Sequence, residues 1–256
     1  MKPQVICLPG GVAPAAQRYG PLRAAVGDDA DLYMKDLEVY REAKPSSGYS
    51  VEVELEAIDT FAAEHNLERF HLLGYSGGGF LSLAYAGTRR ERIRSLALFE
   101  PASIPGPLTH EESAGFDALV QRLKGLEGPA FMAAFVREQL KPGVEPPPPP
   151  ASTSPEMAKR PAGIAALIQA FNDYRFDRSQ LETSSFPVFL GYGDLTSDAE
   201  SVRAAVLAHL FADIHVRRFA GVHHFVAPEQ IYTLEHVRLL LNLWRRGEAS
   251  ATQLPL

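Results

Sequence analysis

Short apolar runs that alternate with longer helix-like segments constrain the fold of this chain more than any other feature. Runs such as SLALF and PVFL are continuously apolar and do not alternate between apolar and polar residues, which is typical of strands buried on both faces of a sheet. Strands that alternate with helices favour a parallel sheet with helices on both sides. The runs are QVICL, DLYM, RFHLL, IRSLALF, FPVFL and DIHVRRF. The sequence therefore predicts an α/β fold with a mostly parallel central sheet.

The alternation stops between Pro101 and Ser185, where the chain has helical rather than strand-like patterns. We therefore expect a core made of residues 1–101 and 185–256. Residues 102–184 are predicted to form a helical cap or lid inserted between two core strands. Its predicted helices lie around residues 111–126, 129–140 and 161–173.

Five consecutive prolines, Pro146–Pro150, lie inside this insertion. Such a run excludes both helix and sheet and favours an extended polyproline segment. We favour a stiff connector between helices over a docking site for a proline-binding module.

Composition excludes several classes of protein. The chain has 256 residues, of which 46% are hydrophobic, so a single large domain with a well-buried core is expected. The formal net charge is -6 and no basic cluster is dense enough to follow a phosphate backbone, which argues against nucleic acid as a partner. No apolar stretch reaches the roughly 20 residues that a membrane span needs, and the first residues enter a strand without a signal peptide. We therefore expect a cytoplasmic protein with no membrane partner.

Cofactor and metal chemistry find little support in the sequence. The only cysteine, Cys7, lies inside the first apolar run, so we expect a packed core thiol and no internal disulfide. The glycine pair after this run is not part of a G-x-G-x-x-G or G-K-[ST] motif, which disfavours a nucleotide site. His223 and His224 have no further ligands at metal-binding spacing. We predict neither a cofactor nor a metal.

The stretch GYSGG, Gly74 to Gly78, matches G-x-S-x-G, the pattern of a nucleophile elbow. It follows the apolar run FHLL directly and precedes a segment able to form a helix. A turn this sharp drives the serine backbone towards strained dihedrals and brings helix and strand so close that flanking side chains would collide. Glycine at positions 74 and 78 removes that collision, so Ser76 is predicted to be a nucleophile.

A serine nucleophile needs a histidine base and a carboxylate that orients the ring. The apolar strand FPVFL is followed by a glycine-rich turn that contains Asp194, which is the preferred acid. Two alternatives stay open: Asp198, which is also suited to capping the helix that follows, and Glu100, which ends the neighbouring strand. The adjacent histidines His223 and His224 lie on a late loop and are the candidates for the base.

An oxyanion hole needs two backbone N–H groups. Gly77 opens the helix after the serine, where the helix dipole also favours negative charge. The second donor is expected from the loop after the first strand, CLPGGVAPA, in which Gly11 is the candidate.

Taken together, LPGG, GYSGGG, FLGYGD and GVHHF, in this order, resemble the α/β-hydrolase superfamily over nearly the whole chain. The resemblance implies Ser76 as nucleophile, Asp194 as acid, His224 rather than His223 as base, and Gly11 and Gly77 as oxyanion donors. It also implies that the insertion forms a cap over the site. Two positions differ from the usual pattern: Pro9 precedes Gly10 where relatives often have His-Gly, and Gly77 stands where many relatives have a side chain.

These observations predict a serine hydrolase that acts on an ester, thioester, lactone or related acyl bond of a small molecule. Tyr75 is expected to line the pocket, and His223 either lines it or forms a hydrogen bond with the backbone. Apolar residues of the insertion are consistent either with a partly apolar substrate pocket or with packing of helices on the core: Phe131, Phe135, Leu167, Ile168 and Phe171. Other enzymes of the same fold, including acyltransferases, carbon–carbon bond hydrolases and cofactor-free lyases, and a non-catalytic ligand receptor are the alternatives.

Overall fold

The computed structural model describes residues 2–148 and 154–252, without the side chains of residues 251 and 252. Its strands are β1 (Gln4–Leu8), β2 (Asp31–Met34), β3 (Phe70–Tyr75), β4 (Ile93–Phe99), β5 (Val188–Gly193) and β6 (Ile214–Phe219). They form one sheet in the order β2-β1-β3-β4-β5-β6, and every pairing is parallel. The parallel sheet predicted from the continuous apolar runs is confirmed.

Eleven α-helices connect and flank these strands within the described residues. They are α1 (Ala15–Val26), α2 (Val51–Glu64), α3 (Gly77–Thr88), α4 (His110–Leu123), α5 (Gly128–Glu138), α6 (Pro155–Ala158), α7 (Arg160–Asp173), α8 (Ser179–Glu182), α9 (Asp198–Leu210), α10 (Pro228–Ile231) and α11 (Leu234–Thr252). None of them is long and apolar enough to cross a membrane.

Successive side chains of each central strand enter hydrophobic clusters on opposite faces of the sheet, because the side-chain period of a strand is two. In β1, Ile6 and Leu8 belong to the cluster that includes residues of α2, α3 and α9. Val5 and Cys7 belong to the other cluster, which includes residues of α1 and α11. Both faces are therefore buried, which explains why the strand sequences are continuously apolar. Cys7 is a packed core thiol, and burial raises its pKa.

The segment between β4 and β5 contains α4 to α8 and no strand of the central sheet. We call residues 102–184 the insertion. Helix α4 begins at a capping box, in which Thr109 and Glu112 satisfy each other's backbone N–H groups. The three predicted helices correspond to α4, α5 and α7, whereas the short α6 and α8 had no sequence signal. In the proline run, residues 146–148 form neither helix nor strand, and Pro149 and Pro150 lie outside the described residues.

Candidate active site

Ser76 occupies the sharp corner between β3 and α3. Its φ of 54° and ψ of -117° lie in a region that non-glycine residues rarely adopt, so the surrounding structure must hold this backbone in place. A Cβ atom at Gly74 would lie 2.4 Å from the carbonyl oxygen of Gly78, and one at Gly78 would lie 2.3 Å from the carbonyl oxygen of Leu8. The glycines at 74 and 78 are thus required by the close approach of helix and strands, as the sequence predicted.

His224 lies in the loop between β6 and α10 and faces the hydroxyl of Ser76. Its Nε2 atom is 3.0 Å from Ser76 Oγ, and both side chains are buried. A histidine whose Nδ1 carries the proton accepts the serine O–H at Nε2, which is the arrangement that a general base needs.

Glu100 supplies the carboxylate behind this histidine. It follows β4 directly, with a φ of 46°, and is completely buried. Its Oε2 atom lies 2.6 Å from His224 Nδ1. Its Oε1 atom accepts hydrogen bonds from the backbone N–H of Gly193 at 2.7 Å and from the Thr196 hydroxyl at 2.5 Å. Three donors therefore converge on one carboxylate and fix its orientation towards the ring.

The preference for Asp194 as the partner of this histidine is corrected by the structure. The Asp194 carboxylate accepts the backbone N–H of Gly221 at 2.8 Å, so it closes the turn after β6. Asp198 is mostly exposed and pairs with Lys141, with a distance of 3.4 Å between its Oδ1 and the Lys141 Nζ. Of the three acids that the sequence offered, only Glu100 contacts His224.

The backbones of Gly11 and Gly77 lie close to each other, and Gly77 directly follows the serine. A Cβ atom at Gly77 would be 3.9 Å from the nitrogen of Gly11. In the described part of the chain, neither N–H donates a hydrogen bond to another residue, whereas the next one, of Gly78, donates to the carbonyl oxygen of Pro9. Two unpaired donors beside a serine suit a developing oxyanion.

Tyr75 does not line an opening, contrary to the sequence expectation. It is buried on the core side of His224, with ring centroids 5.0 Å apart, and its hydroxyl donates to the carbonyl of His224. The Arg18 guanidinium lies 3.7 Å from the centre of the Tyr75 ring, and its Nη1 donates to the carbonyl of Val226. Tyr75 and Arg18 therefore support the loop that carries the histidine.

His223 points away from this chain of hydrogen bonds. Its Nδ1 accepts the backbone N–H of Phe225 at 3.1 Å, so its main contact is with the backbone of its own loop. Burial is the main cause that lowers the pKa of His223, which keeps the ring neutral. Both ring nitrogens of His224 are engaged by Ser76 and Glu100. Within residues 2–148 and 154–252, no group of three or more His, Cys, Asp or Glu side chains is arranged to hold a metal.

Helix α7 of the insertion covers the serine and the Gly11 loop with apolar side chains. A Cβ atom at Gly77 would contact Leu167 at 3.7 Å and Phe171 at 3.8 Å, and one at Gly11 would lie 2.9 Å from Ile164. Phe171 also stacks on Phe80 of the core, with 4.1 Å between ring centroids. The same residues thus pack on the core and form an apolar wall beside the serine.

Three polar residues at this site had no sequence signal. Tyr40 and Arg160 both donate to the carbonyl oxygen of Gly11. The Tyr40 hydroxyl lies 2.8 Å from this oxygen, and Arg160 Nη1 lies 3.4 Å from it. Thr196 binds Glu100 as described above.

A groove of about 640 Å³ is lined by Tyr40 together with Lys35, Glu38 and Lys159, but not by Ser76 or His224. This groove is therefore separate from the serine.

Comparisons with known proteins agree with this architecture. A family model described as the alpha/beta hydrolase fold matches residues 3–225 of the chain. A comparison with curated protein sequences found no match.

Several solved structures share the fold over most of their length. A thermophilic esterase from Thermogutta terrifontis is 17% identical, with a TM-score of 0.69 over 96% of this chain and 90% of that chain. An alpha/beta hydrolase from Sphaerobacter thermophilus is 21% identical, with a TM-score of 0.66 over 94% and 92% of the two chains. Carboxylesterase CesB from Bacillus subtilis is 19% identical, with a TM-score of 0.61 over 93% and 82%. At these identities the likeness shows the fold.

Proposed function

Because the chain belongs to the α/β-hydrolase family, we propose that it is a serine hydrolase that cleaves an ester, thioester, lactone or related acyl bond. The observation that carries the proposal is the chain of hydrogen bonds from Ser76 through His224 to Glu100, at 3.0 Å and 2.6 Å. Family membership alone would not support it, since one fold hosts many activities.

In the proposed reaction, Ser76 Oγ attacks the acyl carbon while His224 Nε2 takes the hydroxyl proton. The imidazolium that forms donates its Nδ1–H to Glu100, whose negative charge stabilises it. The carbonyl oxygen of the substrate becomes an oxyanion that accepts the N–H groups of Gly11 and Gly77. His224 then returns the proton to the leaving group, and the acyl-enzyme remains on Ser76. Water, activated by the same histidine, attacks the acyl-enzyme and restores the serine.

The role of Glu100 depends on its rigidity. The bonds from Gly193 and Thr196 occupy one carboxylate oxygen and leave the other for the histidine. A carboxylate held in this way keeps the Nδ1 proton on the ring side that faces away from the serine, so Nε2 stays free to act as the base.

We further propose that the insertion acts as a cap and that the acyl group is at least partly apolar. Ile164, Leu167 and Phe171 of α7 stand over the Gly11 loop and the serine. An apolar acyl group beside them would lose water contacts without leaving a polar group unsatisfied.

A fluorophosphonate probe tests the nucleophile directly. We expect the wild type to be labelled at Ser76 and to hydrolyse p-nitrophenyl esters of increasing acyl length, and Ser76→Ala to lose both properties. Ser95→Ala is the matched control, because Ser95 is another buried serine whose Oγ lies 2.8 Å from a histidine, His71. Equal labelling of Ser76→Ala and wild type would refute the assignment. Labelling of Ser76 without turnover of any acyl ester would favour a ligand receptor of the same fold.

A further inference from the structure

The carbonyl group of Gly11 is held by two side chains from different parts of the chain. The Tyr40 hydroxyl, from the core, donates to this oxygen at 2.8 Å. Arg160, the first residue of α7 in the insertion, donates to it from Nη1 at 3.4 Å. The N–H of the same glycine has no acceptor in the described part of the chain. Glycine has the freest backbone of any residue, so these two bonds restrict a loop that would otherwise allow several orientations of that N–H.

Both side chains are buried and pack on each other. The Arg160 guanidinium lies 3.9 Å from the centre of the Tyr40 ring, and only 2% of Arg160 is exposed. Its Nη2 pairs with Glu156 at 2.5 Å. Burial raises the pKa of Tyr40, so its hydroxyl keeps its proton and remains a donor. A buried cation is costly unless it is paired, and Arg160 meets this requirement through Glu156 and the Gly11 carbonyl.

Helix α7 approaches Tyr40 closely enough for this contact because residue 163 is glycine. A Cβ atom at Gly163 would lie 2.0 Å from the Tyr40 ring. The Nζ of Lys159 also donates to the carbonyl of Tyr40 at 3.0 Å. The start of α7 is therefore fastened to Tyr40 by the side chains of Lys159 and Arg160, which both precede the glycine contact.

From this arrangement we infer that Tyr40 and Arg160 are positioning residues that aim the Gly11 N–H at the oxyanion. Arg160 makes the oxyanion hole depend on the insertion, because a displacement of α7 removes one of the two bonds that hold the Gly11 carbonyl. The inference rests on the proposed function, since it assigns a purpose to the Gly11 N–H in acyl transfer. Neither side chain contacts the reacting atoms, so both act through the loop.

Steady-state kinetics of Tyr40→Phe and Arg160→Met with a short p-nitrophenyl ester test the inference. Tyr40→Phe keeps the ring and removes only the hydroxyl. We expect kcat to fall about 10- to 100-fold in each variant, with KM within about 3-fold of wild type, because the oxyanion forms only in the transition state. Tyr49→Phe is the control for a half-buried tyrosine that binds Glu54 and not Gly11. Arg178→Met is the control for an ion-paired arginine of the insertion.

A trifluoromethyl ketone separates positioning from a general loss of structure. Such a ketone forms a hemiketal oxyanion on the serine, so its inhibition constant should rise in both variants by the same factor as kcat/KM falls. A purely structural role would lower the melting temperature and leave that constant unchanged at a temperature where the protein is folded. Unchanged kcat and inhibition constant in folded Tyr40→Phe and Arg160→Met would overturn the inference while the proposed function stands. If one variant does not fold, the other decides the result. Absence of fluorophosphonate labelling in wild type would overturn the proposed function itself, and this inference with it.

Discussion

The described residues include two clusters of one serine, one histidine and one glutamate, which lie at opposite ends of the strands; every member is buried except the partly exposed Glu248. At the carboxyl ends of the strands, His224 bridges Ser76 and Glu100. Near the amino ends, His71 of β3 lies opposite Ser95 of β4, with Nδ1 2.8 Å from the serine hydroxyl. The other nitrogen of His71, Nε2, is 3.1 Å from the carboxylate of Glu248 in α11. We call these the carboxyl-end cluster and the amino-end cluster.

The two clusters differ in their backbone, and burial changes the titration of the histidine in the amino-end cluster. Ser95 lies within a strand, whereas Ser76 lies at a strained corner whose next N–H is free. Burial, with the nearby Arg94 as a smaller cause, lowers the pKa of His71 to about 3, so this ring does not hold a proton at neutral pH. The comparison teaches that the same three residue types can be joined by hydrogen bonds without a strained corner or unpaired backbone donors. The proposed mechanism requires both of these additional features at the carboxyl-end cluster.

Replacing the glutamate of each cluster by glutamine should give the largest difference in kcat between the two clusters. In Glu100→Gln, the amide loses the charge that stabilises the imidazolium and presents an N–H to the ring. We expect kcat to fall by about 10³- to 10⁴-fold, or about 4 to 5.5 kcal/mol of transition-state stabilisation. Glu248→Gln should leave kcat within about 3-fold of wild type, because the amino-end cluster takes no part in turnover.

Asp194→Asn is the control for the acid, and its kcat is also expected to stay within about 3-fold of wild type. A large loss in Asp194→Asn together with an active Glu100→Gln would return the role to Asp194. Circular dichroism of each variant verifies that the fold is retained.

The assignment of the acid illustrates where sequence reasoning reaches its limit. Glu100 and Asp194 both follow an apolar strand directly, so their local patterns are equivalent. The sheet order decides between them: β4 lies between β3 and β5, so the residue after β4 is one strand nearer to Ser76. The backbone N–H of Gly221 also engages the Asp194 carboxylate. Neither fact can be read from the sequence around these residues.

The sheet and the elbow could be predicted because their signals are local. Continuous apolar runs specify strands with two buried faces, and Gly74 and Gly78 reflect contacts with residues nearby in the turn or at the adjacent strand. The contacts of Arg160 with Gly11, and of Glu248 with His71, join residues that are 149 and 177 positions apart. Such pairs have no periodicity or spacing that marks them, so tertiary packing alone brings them together.

Alanine at Gly78 and at Gly247 should destabilise the protein by similar amounts but affect catalysis differently. A Cβ atom would lie 2.3 Å from the carbonyl oxygen of Leu8 in the first case and 2.5 Å from that of Arg94 in the second. Backbone atoms do not yield easily, so we expect each variant to lose about 3 kcal/mol in the free energy of unfolding, measured by urea denaturation.

Only Gly78→Ala should also lower kcat per titrated active site, because it displaces the elbow. Gly247→Ala should keep the wild-type kcat in its folded fraction. Equal loss of kcat in both variants would mean that the amino-end cluster is coupled to turnover.

The amino-end cluster should make the free energy of unfolding depend on pH. His71 has a pKa of about 3 in the folded protein and 6.5 as its ordinary value, so acid protonates it in the unfolded chain first. The contribution of neutral His71 to the free energy of unfolding is fully present above pH 6.5. It is lost as the pH falls towards 3, by about 1.4 kcal/mol for each pH unit. Urea denaturation at pH values between about 7 and 4 gives the slope of the free energy of unfolding against pH. This slope should be smaller in His71→Gln than in wild type by the same amount.

Buried His236, whose pKa burial lowers to about 4, contributes in the same direction and remains in both proteins. His110→Gln is the control, because His110 is exposed at the start of α4. An identical slope in wild type and His71→Gln would show that His71 is not buried in its neutral form.

The smallest effect is expected from Gly77→Ala, which adds a methyl group directly after the serine of the carboxyl-end cluster. A Cβ atom there would make ordinary contacts of 3.7 Å with Leu167 and 3.8 Å with Phe171. The free energy of unfolding should therefore change by less than about 1 kcal/mol, since alanine also favours the helix that begins at this residue. The N–H donor is retained, so kcat for a p-nitrophenyl acetate should stay within about 3-fold of wild type. The methyl group occupies space next to the acyl carbon, so KM should rise with the acyl length of the ester. A kcat on the acetate lowered by more than about 10-fold would instead mean that the Gly77 N–H needs the freedom of glycine to reach the oxyanion.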